Sequence, residues 1–268
     1  MEKKMTTAEL NLRLLTLQNA WLERLDGFYR KQGDSVHFSE PFAFSLSDAA
    51  MQGDRPRLMY IGEEARNWLG FAEHTQKYRQ QWAVTYLEHQ LYGEAKSEEC
   101  TRFTQTLSAA DRQALRKNSS PYWRLLKETT GQHYAPCWNN LDKLHRVVKG
   151  KTRPLTYGRE AQLHAVSPCE QGGSLLLEEI RLTRPQVLLF MGGAYGRSME
   201  WALGLPKGSL EPYRPTEQNA FVNEISEMPL PLRPCGVKRM LWIAHPAYIS
   251  RKGGMQAAVA RIRLLLCE

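Results

Sequence analysis

The sequence predicts an α/β fold built on a mostly parallel β-sheet. Four short apolar runs alternate along the chain with segments of helical periodicity, which is the order that parallel α/β folds show. The runs are continuously apolar, as is typical of strands that a parallel sheet buries on both faces. A chain of 268 residues is long enough to bury a sizeable core.

The amino-terminal segment predicts a long amphipathic helix over residues 7–30. Thr6 and Glu9 have the spacing of a capping box. Apolar residues follow at helical spacing: Leu10, Leu14, Leu17, Trp21, Leu25 and Phe28. Residues 31–56 are rich in glycine, serine, aspartate and proline, which predicts a loop. We therefore expect a helical extension over residues 1–56 and one compact domain over residues 57–268.

The compact domain alternates predicted strands and helices. The strands are expected at residues 57–62, 134–141, 186–193 and 239–246. Helices are expected at residues 78–92, 108–117 and 174–182, and a last helix carries Met255, Ala258, Val259, Ile262, Leu265 and Leu266 on one face. Pro185 separates the third of these helices from the strand that follows, because the residue before a proline disfavours helical geometry.

Charge and cysteine content narrow the class of protein. The 36 basic and 28 acidic residues leave a net charge of +8, which favours a polyanionic partner without requiring one. The five cysteines are scattered with no C-x-x-C pair, so we expect reduced thiols in a cytosolic protein and neither a zinc site nor an iron–sulfur cluster. No signal-peptide core and no apolar stretch of transmembrane length is evident.

Ligands of parallel α/β sheets bind beyond the carboxyl ends of the strands. The residues at the carboxyl ends of the predicted strands, or just after them, combine carboxylates, amides and an imidazole: Glu63, Glu64, Arg66, Asn139, Asn140, Lys143, Gly193 and His245. Three stretches that carry these residues, YIGEEARNW at 60–68, CWNNLDK at 137–143 and WIAHPAYISRKGG at 242–254, resemble in this order the motifs of the uracil-DNA glycosylase superfamily. The resemblance covers residues 57–268 and implies a three-layer α/β/α domain with a central four-stranded, mostly parallel sheet.

The resemblance implies catalytic roles for a carboxylate and for His245. Cleavage of an N-glycosidic bond passes through an oxocarbenium-like sugar, which a carboxylate stabilises while it orients water. Glu64 aligns with the water-activating position and Glu63 is the second candidate, although both residues also suit a solvated helix N-terminus. His245 is expected to donate a hydrogen bond to the leaving base, although a histidine after a strand can be purely structural.

Recognition of a flipped base needs a polar partner and a stacking surface. Asn140 offers a donor and an acceptor to the base edge. Asn139 is the alternative, because the alignment of two adjacent asparagines with the motif is ambiguous. An asparagine there also suits a helix cap. Tyr122 and Trp123 are both candidates for the stacking surface, or for the core.

The third motif predicts a DNA-insertion loop at residues 245–254. Ala247, Tyr248 and Ile249 are candidates for the wedge that fills the gap left by the flipped base. Contacts with DNA phosphates are expected from Ser250, Arg251, Lys252, Lys143 and the backbone at Gly193, with Gly253 and Gly254 letting backbone amides approach an anion.

The expected substrate is a modified base. The best-known branch of the superfamily has a tyrosine gate shortly after the water-placing acid, whereas this chain has Arg66 there, so the site would admit a base substituted at carbon 5. The chain resembles an outlying branch of bacterial anti-phage glycosylases, which implies a monomeric cytoplasmic enzyme. It would hydrolyse modified bases such as glucosylated hydroxymethylcytosine from double-stranded phage DNA without cofactor or metal. Alternatives are a uracil-DNA glycosylase of base-excision repair, a catalytically silent DNA-binding module, and a nucleotide-binding enzyme that uses MGGAYG at 191–196.

Overall fold

The computed structural model describes residues 5–31, 37–64, 74–116, 119–131, 133–149, 151–153, 155–215 and 225–267. Its helices are α1 (Thr7–Lys31), α2 (Gln76–Tyr92), α3 (Glu98–Thr106), α4 (Ala109–Ala114), α5 (Pro121–Thr130), α6 (Tyr157–Ala165), α7 (Leu175–Thr183), α8 (Gly196–Leu203), α9 (Pro246–Arg251) and α10 (Met255–Cys267). Its strands are β1 (His37–Phe38), β2 (Arg57–Glu64), β3 (Ala135–Asp142), β4 (Arg146–Val148), β5 (Lys151–Arg153), β6 (Val187–Met191), β7 (Ser226–Glu227) and β8 (Arg239–Ile243).

The central sheet confirms the α/β class and corrects the expected number of strands. Its order is β3-β2-β6-β8-β7, so it has five strands where four were expected. The four predicted strands are the parallel ones, and β7 adds an antiparallel edge to β8. Every residue of β6 is buried, in keeping with its continuous apolar sequence. A strand of two residues is too short to produce a sequence pattern, which is why β7 was not predicted.

The helices form one connected set of contacts. At one end, α5 contacts both α9 and α10, which also contact each other. At the other end, α7 contacts α1 and α8, and α8 contacts α6, while α2 contacts both α1 and α5 and so joins the two ends. Among the described residues, no helix is both long and apolar enough to cross a membrane.

The predicted amino-terminal helix is present and joins the main hydrophobic core. Thr6 and Glu9 form the expected capping box, with the Thr6 backbone N–H donating to Glu9 Oε2 at 2.7 Å. Leu10 and Leu14 of α1 are buried in the same cluster as Leu58 of β2. Within the segment predicted as a loop, residues 39–47 are all buried. The same segment contributes β1, which pairs with β4 in a separate three-stranded sheet. The expected division at residue 56 stays a prediction, while side chains from both sides of it share one core.

Candidate functional site

The carboxyl ends of β2 and β3 bring the first two sequence motifs together. Gly62 on β2 is the direct neighbour of Asn140 on β3, and Glu64 is the direct neighbour of Asp142. Because successive side chains of a strand alternate between its two faces, Asn140 and Asp142 share one face and Asn139 points to the other. The two asparagines therefore lie in different surroundings.

Asn140 lies against Gly62 and Tyr122. A Cβ atom at position 62 would lie 2.6 Å from Asn140 Oδ1 and 3.4 Å from the Tyr122 ring, so only glycine leaves room for this arrangement. Asn140 is 2% exposed, and its Nδ2 has no hydrogen-bond partner in the described part of the chain. A buried amide without a partner costs roughly 1–3 kcal/mol, which suggests a place for a polar ligand.

Tyr122 presents an aromatic surface beside this amide. Its ring is half-buried, whereas its hydroxyl is enclosed, and burial raises the pKa of Tyr122 well above its usual range. The phenol therefore stays neutral. Trp123, the alternative candidate, is 7% exposed and packs in the core, with its ring centroid 4.9 Å from that of Trp138. Of the two aromatic residues, Tyr122 is the one placed to stack on a ligand.

We expect Gly62→Ala to displace Asn140 because the new methyl group would overlap its amide oxygen. The substitution should destabilise the protein by about 1–3 kcal/mol, the usual cost of overpacking. It should also weaken the binding of any ligand that Asn140 contacts. Urea unfolding measures the first effect. The control is Gly27→Ala in α1, where a Cβ meets nothing within 4 Å and alanine should stabilise the helix. Equal stability changes in the two variants would contradict the close approach.

His245 caps α9 at the rim of the sheet. The residue is exposed, and its Nδ1 accepts a hydrogen bond from the Ala247 backbone N–H at 3.2 Å. A neutral His245 therefore carries its proton on Nε2, the arrangement of a hydrogen-bond donor. Because α9 contacts α5, the third motif lies next to the helix whose Tyr122 approaches Gly62 of the first motif.

Asn139 and Lys143 belong to a buried network on the other face of β3. Asn139 Nδ2 donates to Glu179 Oε2 at 2.9 Å, and Lys143 Nζ donates to the same oxygen at 2.6 Å. Lys143 is 3% exposed and also donates to Asn139 Oδ1. Burial lowers the pKa of Lys143, and the charge of Glu179 opposes that change. The expected phosphate contact by Lys143 is therefore wrong, because its ammonium is enclosed and paired.

The predicted insertion loop is also different in the structure. Residues Pro246–Arg251 form helix α9, because Pro246 suits a first helical position and His245 caps it. The N–H groups of Gly253 and Gly254 donate to Ser250 and Ile249 carbonyls, so they are not available to an anion. Tyr248 and Ser250 are half-buried, whereas Arg251 and Lys252 are exposed and remain placed to meet phosphates. Lys252 Nζ lies 5.8 Å from the centre of the Tyr248 ring.

The remaining predicted residues lie at the same edge or outside the described part. Gly193 is in the turn between β6 and α8, and its carbonyl accepts from Arg214 Nε at 3.0 Å. Glu63 and Glu64 are the last residues of β2, although their side chains lie outside the described residues. Arg66 lies wholly outside them. The Glu63/Glu64 choice and the role of Arg66 stay predictions.

Three further titratable residues, not singled out from the sequence, meet beside this edge. Asp142 ends β3, and Glu160 and His164 lie one helical turn apart on α6. One ligand-type atom from each lies within 4.8 Å of the other two. Burial and the nearby Asp142 carboxylate raise the pKa of Glu160 to about 8. The spacing of Glu160 and His164, four residues apart on a helix, could have indicated a pair of metal ligands from the sequence. The approach of Asp142 to this pair is seen only in the fold.

This raised pKa predicts a pH-dependent stability. Between 4.5, the ordinary pKa of this carboxyl, and about 8, folded Glu160 holds a proton that the unfolded chain has released. Folding then binds a proton, so stability falls as pH rises through this window. Urea unfolding of the wild type and of Glu160→Gln, both in a metal chelator, is measured at several pH values between 4.5 and about 8. As the pH rises, the free energy of unfolding of the wild type should fall relative to that of the variant. Parallel pH profiles for the two proteins would contradict the assignment.

Comparison with known proteins leaves the family unassigned. No protein-family model matches the chain, and no curated protein matches it significantly.

Proposed function

We propose that this chain is a monofunctional DNA glycosylase, which flips a base out of double-stranded DNA and hydrolyses its N-glycosidic bond. The observation that carries the proposal is the contact of Gly62, Asn140 and Tyr122 at the carboxyl edge of the sheet. A buried amide whose donor has no hydrogen-bond partner among the described residues, next to a half-buried aromatic ring, has the chemistry needed to hold a flipped base by its polar edge and its face. Helices packed around a mostly parallel sheet also agree with a three-layer α/β/α domain.

Each proposed role follows from the chemistry of its residue. Asn140 reads the polar edge of the base and Tyr122 stacks on it. His245, with its proton on Nε2, donates to the base oxygen on which negative charge develops. Glu64, or Glu63 next to it, orients water and stabilises the sugar cation. A hydrolytic reaction needs no amine nucleophile. Of the lysines in the three motifs, Lys143 is paired inside the protein, and Lys252 is exposed at the end of α9.

For the substrate, we propose a base with a bulky substituent, such as glucosylated hydroxymethylcytosine of phage DNA, excised in bacterial antiviral defence. Support comes from residues 63–68, EEARNW, which contain no tyrosine to close the pocket. The net charge of +8 favours a polyanionic partner. The exposed Arg251 and Lys252 at the end of α9 are suited to the phosphates of such a DNA.

The test is abasic-site formation on duplexes that contain cytosine, uracil, hydroxymethylcytosine or its glucosylated form. Alkali cleaves the strand at abasic sites and makes the product visible on a denaturing gel. We expect cleavage in glucosylated DNA by the wild type and most of it lost in Asn140→Ala. Gln52→Ala, which removes an exposed side-chain amide elsewhere, serves as the control and should retain activity.

The other outcomes distinguish the alternatives. Cleavage confined to uracil would replace the substrate proposal with a repair glycosylase. DNA binding without cleavage of any duplex would contradict the enzyme and favour a silent DNA-binding module.

A further inference from the structure

We infer that Asp142, Glu160 and His164 bind one divalent transition-metal ion of the zinc class, which ties α6 to the end of β3. The three residues converge from two elements, and their ligand-type atoms lie within 4.8 Å of one another. His164 Nε2 and Asp142 Oδ1 are 3.5 Å apart. Two ligands of one tetrahedral ion, each bonded at about 2.1 Å, lie about 3.4 Å apart, so this pair already has the required spacing.

Burial supplies a second and independent observation. The three side chains are at least nine-tenths buried, with exposures of 1% for Asp142, 9% for Glu160 and 7% for His164. Asp142 Oδ1, Glu160 Oε1 and His164 Nε2 are all enclosed, and no hydrogen bond to them is found within the described ranges. Buried polar atoms normally have hydrogen-bond partners, so three that converge without one in the described part of the chain indicate a shared ligand.

Electrostatics agrees with a cationic ligand. Burial and the charge of Asp142 both act against ionisation of Glu160. A divalent ion between the two carboxylates would offset this repulsion and the desolvation of both groups.

The donor set selects the class of metal. One imidazole and two carboxylates suit zinc, manganese or iron better than calcium or magnesium, which prefer sets made only of oxygen. These three residues supply no thiolate. The ion would hold the segment of β3 that carries Asn140, two residues before Asp142. The expectation of a protein without metal follows from the scattered cysteines and from the family resemblance, whereas the ligand set proposed for this ion contains no cysteine.

The experiment measures metal binding by the full-length chain without DNA, so its outcome is independent of glycosylase activity. Cys235 and Cys267, the exposed cysteines of the described residues, are replaced by serine to remove thiol binding. The chelator-treated protein is titrated with Zn²⁺ by calorimetry and with Co²⁺ by visible absorption. We expect one ion per chain, a cobalt spectrum of nitrogen and oxygen ligands, and a Tm that rises on addition of Zn²⁺.

Glu160→Gln is the deciding variant. It preserves the shape of the side chain and removes the repulsion from Asp142, so its metal-free fold should be at least as stable as that of the parent. Zn²⁺ affinity should fall by more than about tenfold, the scale on which even indirect partners of a metal act, and the rise in Tm should vanish. The control, Glu98→Gln, changes an exposed glutamate of α3 and should bind as the parent does. No binding by the parent, or equal binding by Glu160→Gln, would overturn the inference.

Discussion

Replacing Lys143 with alanine is expected to lower the free energy of unfolding by about 3–5 kcal/mol, the usual result of removing one member of a buried ion pair. Glu179 is 0% exposed, and its Oε2 accepts from Lys143 Nζ at 2.6 Å. Asn139 Nδ2 and Gln18 Nε2 also donate to this carboxylate, each at 2.9 Å. Without the ammonium, these neutral donors would leave a buried negative charge uncompensated. Urea unfolding measures the loss.

Two controls separate charge from packing. Lys207→Ala changes an exposed lysine and should alter stability by no more than about 0.5 kcal/mol. The double variant Lys143→Met with Glu179→Gln removes both charges and keeps the volume, so it should recover much of the stability that Lys143→Met loses. If the double variant is no more stable than Lys143→Met, the loss does not come from the unpaired charge.

Replacing His245 with alanine is expected to lower kcat of the proposed glycosylase by about 10²–10³, the usual effect of removing a donor to developing negative charge. Binding of DNA should change much less, because the hydrogen bond strengthens only as charge builds on the leaving base. Single-turnover cleavage of a modified duplex gives the rate, and a gel-shift titration gives the affinity.

His245→Ala also removes the cap of α9, so the design must separate the two roles. His245→Asn retains a good capping side chain, but its shorter amide lies nearer the backbone, so the loss of rate should persist. His133→Ala makes the same substitution at the opposite edge of the sheet, just before β3, and should leave the rate unchanged. A rate restored by His245→Asn would assign His245 to capping alone.

The strands that build the site were predictable because each contains an apolar run long enough to show a strand pattern in the sequence. The observed β2, β3, β6 and β8 lie within or close to the predicted runs. The two- and three-residue strands β1, β4, β5 and β7 were not predicted, since their pairing depends on partners elsewhere in the chain. Helix α9 was missed because a six-residue helix that follows a proline has no measurable periodicity.

The candidate site was predictable in its position and less so in its side chains. The expectation that polar residues at strand ends meet at one edge made Asn140 a candidate, and the need for a stacking surface made Tyr122 one. The close approach of Gly62 to both is seen only in the fold. The choice between Asn139 and Asn140 needed the fold, because Asn139 is engaged by Glu179, 40 positions away. The role of Lys143 depends on the same distant glutamate. Contacts between residues so far apart in the sequence cannot be predicted from the local spacing of residue types.

The measurement that tests the proposed activity most directly is mass spectrometry of the bases released from modified and unmodified duplex DNA. The account predicts a free modified base in amounts equal to the abasic sites formed, from the wild type and His133→Ala. Release from His245→Ala and Asn140→Ala should be strongly reduced. No free base from any DNA, or equal release by all four proteins, would contradict the assignment of this site as a DNA glycosylase.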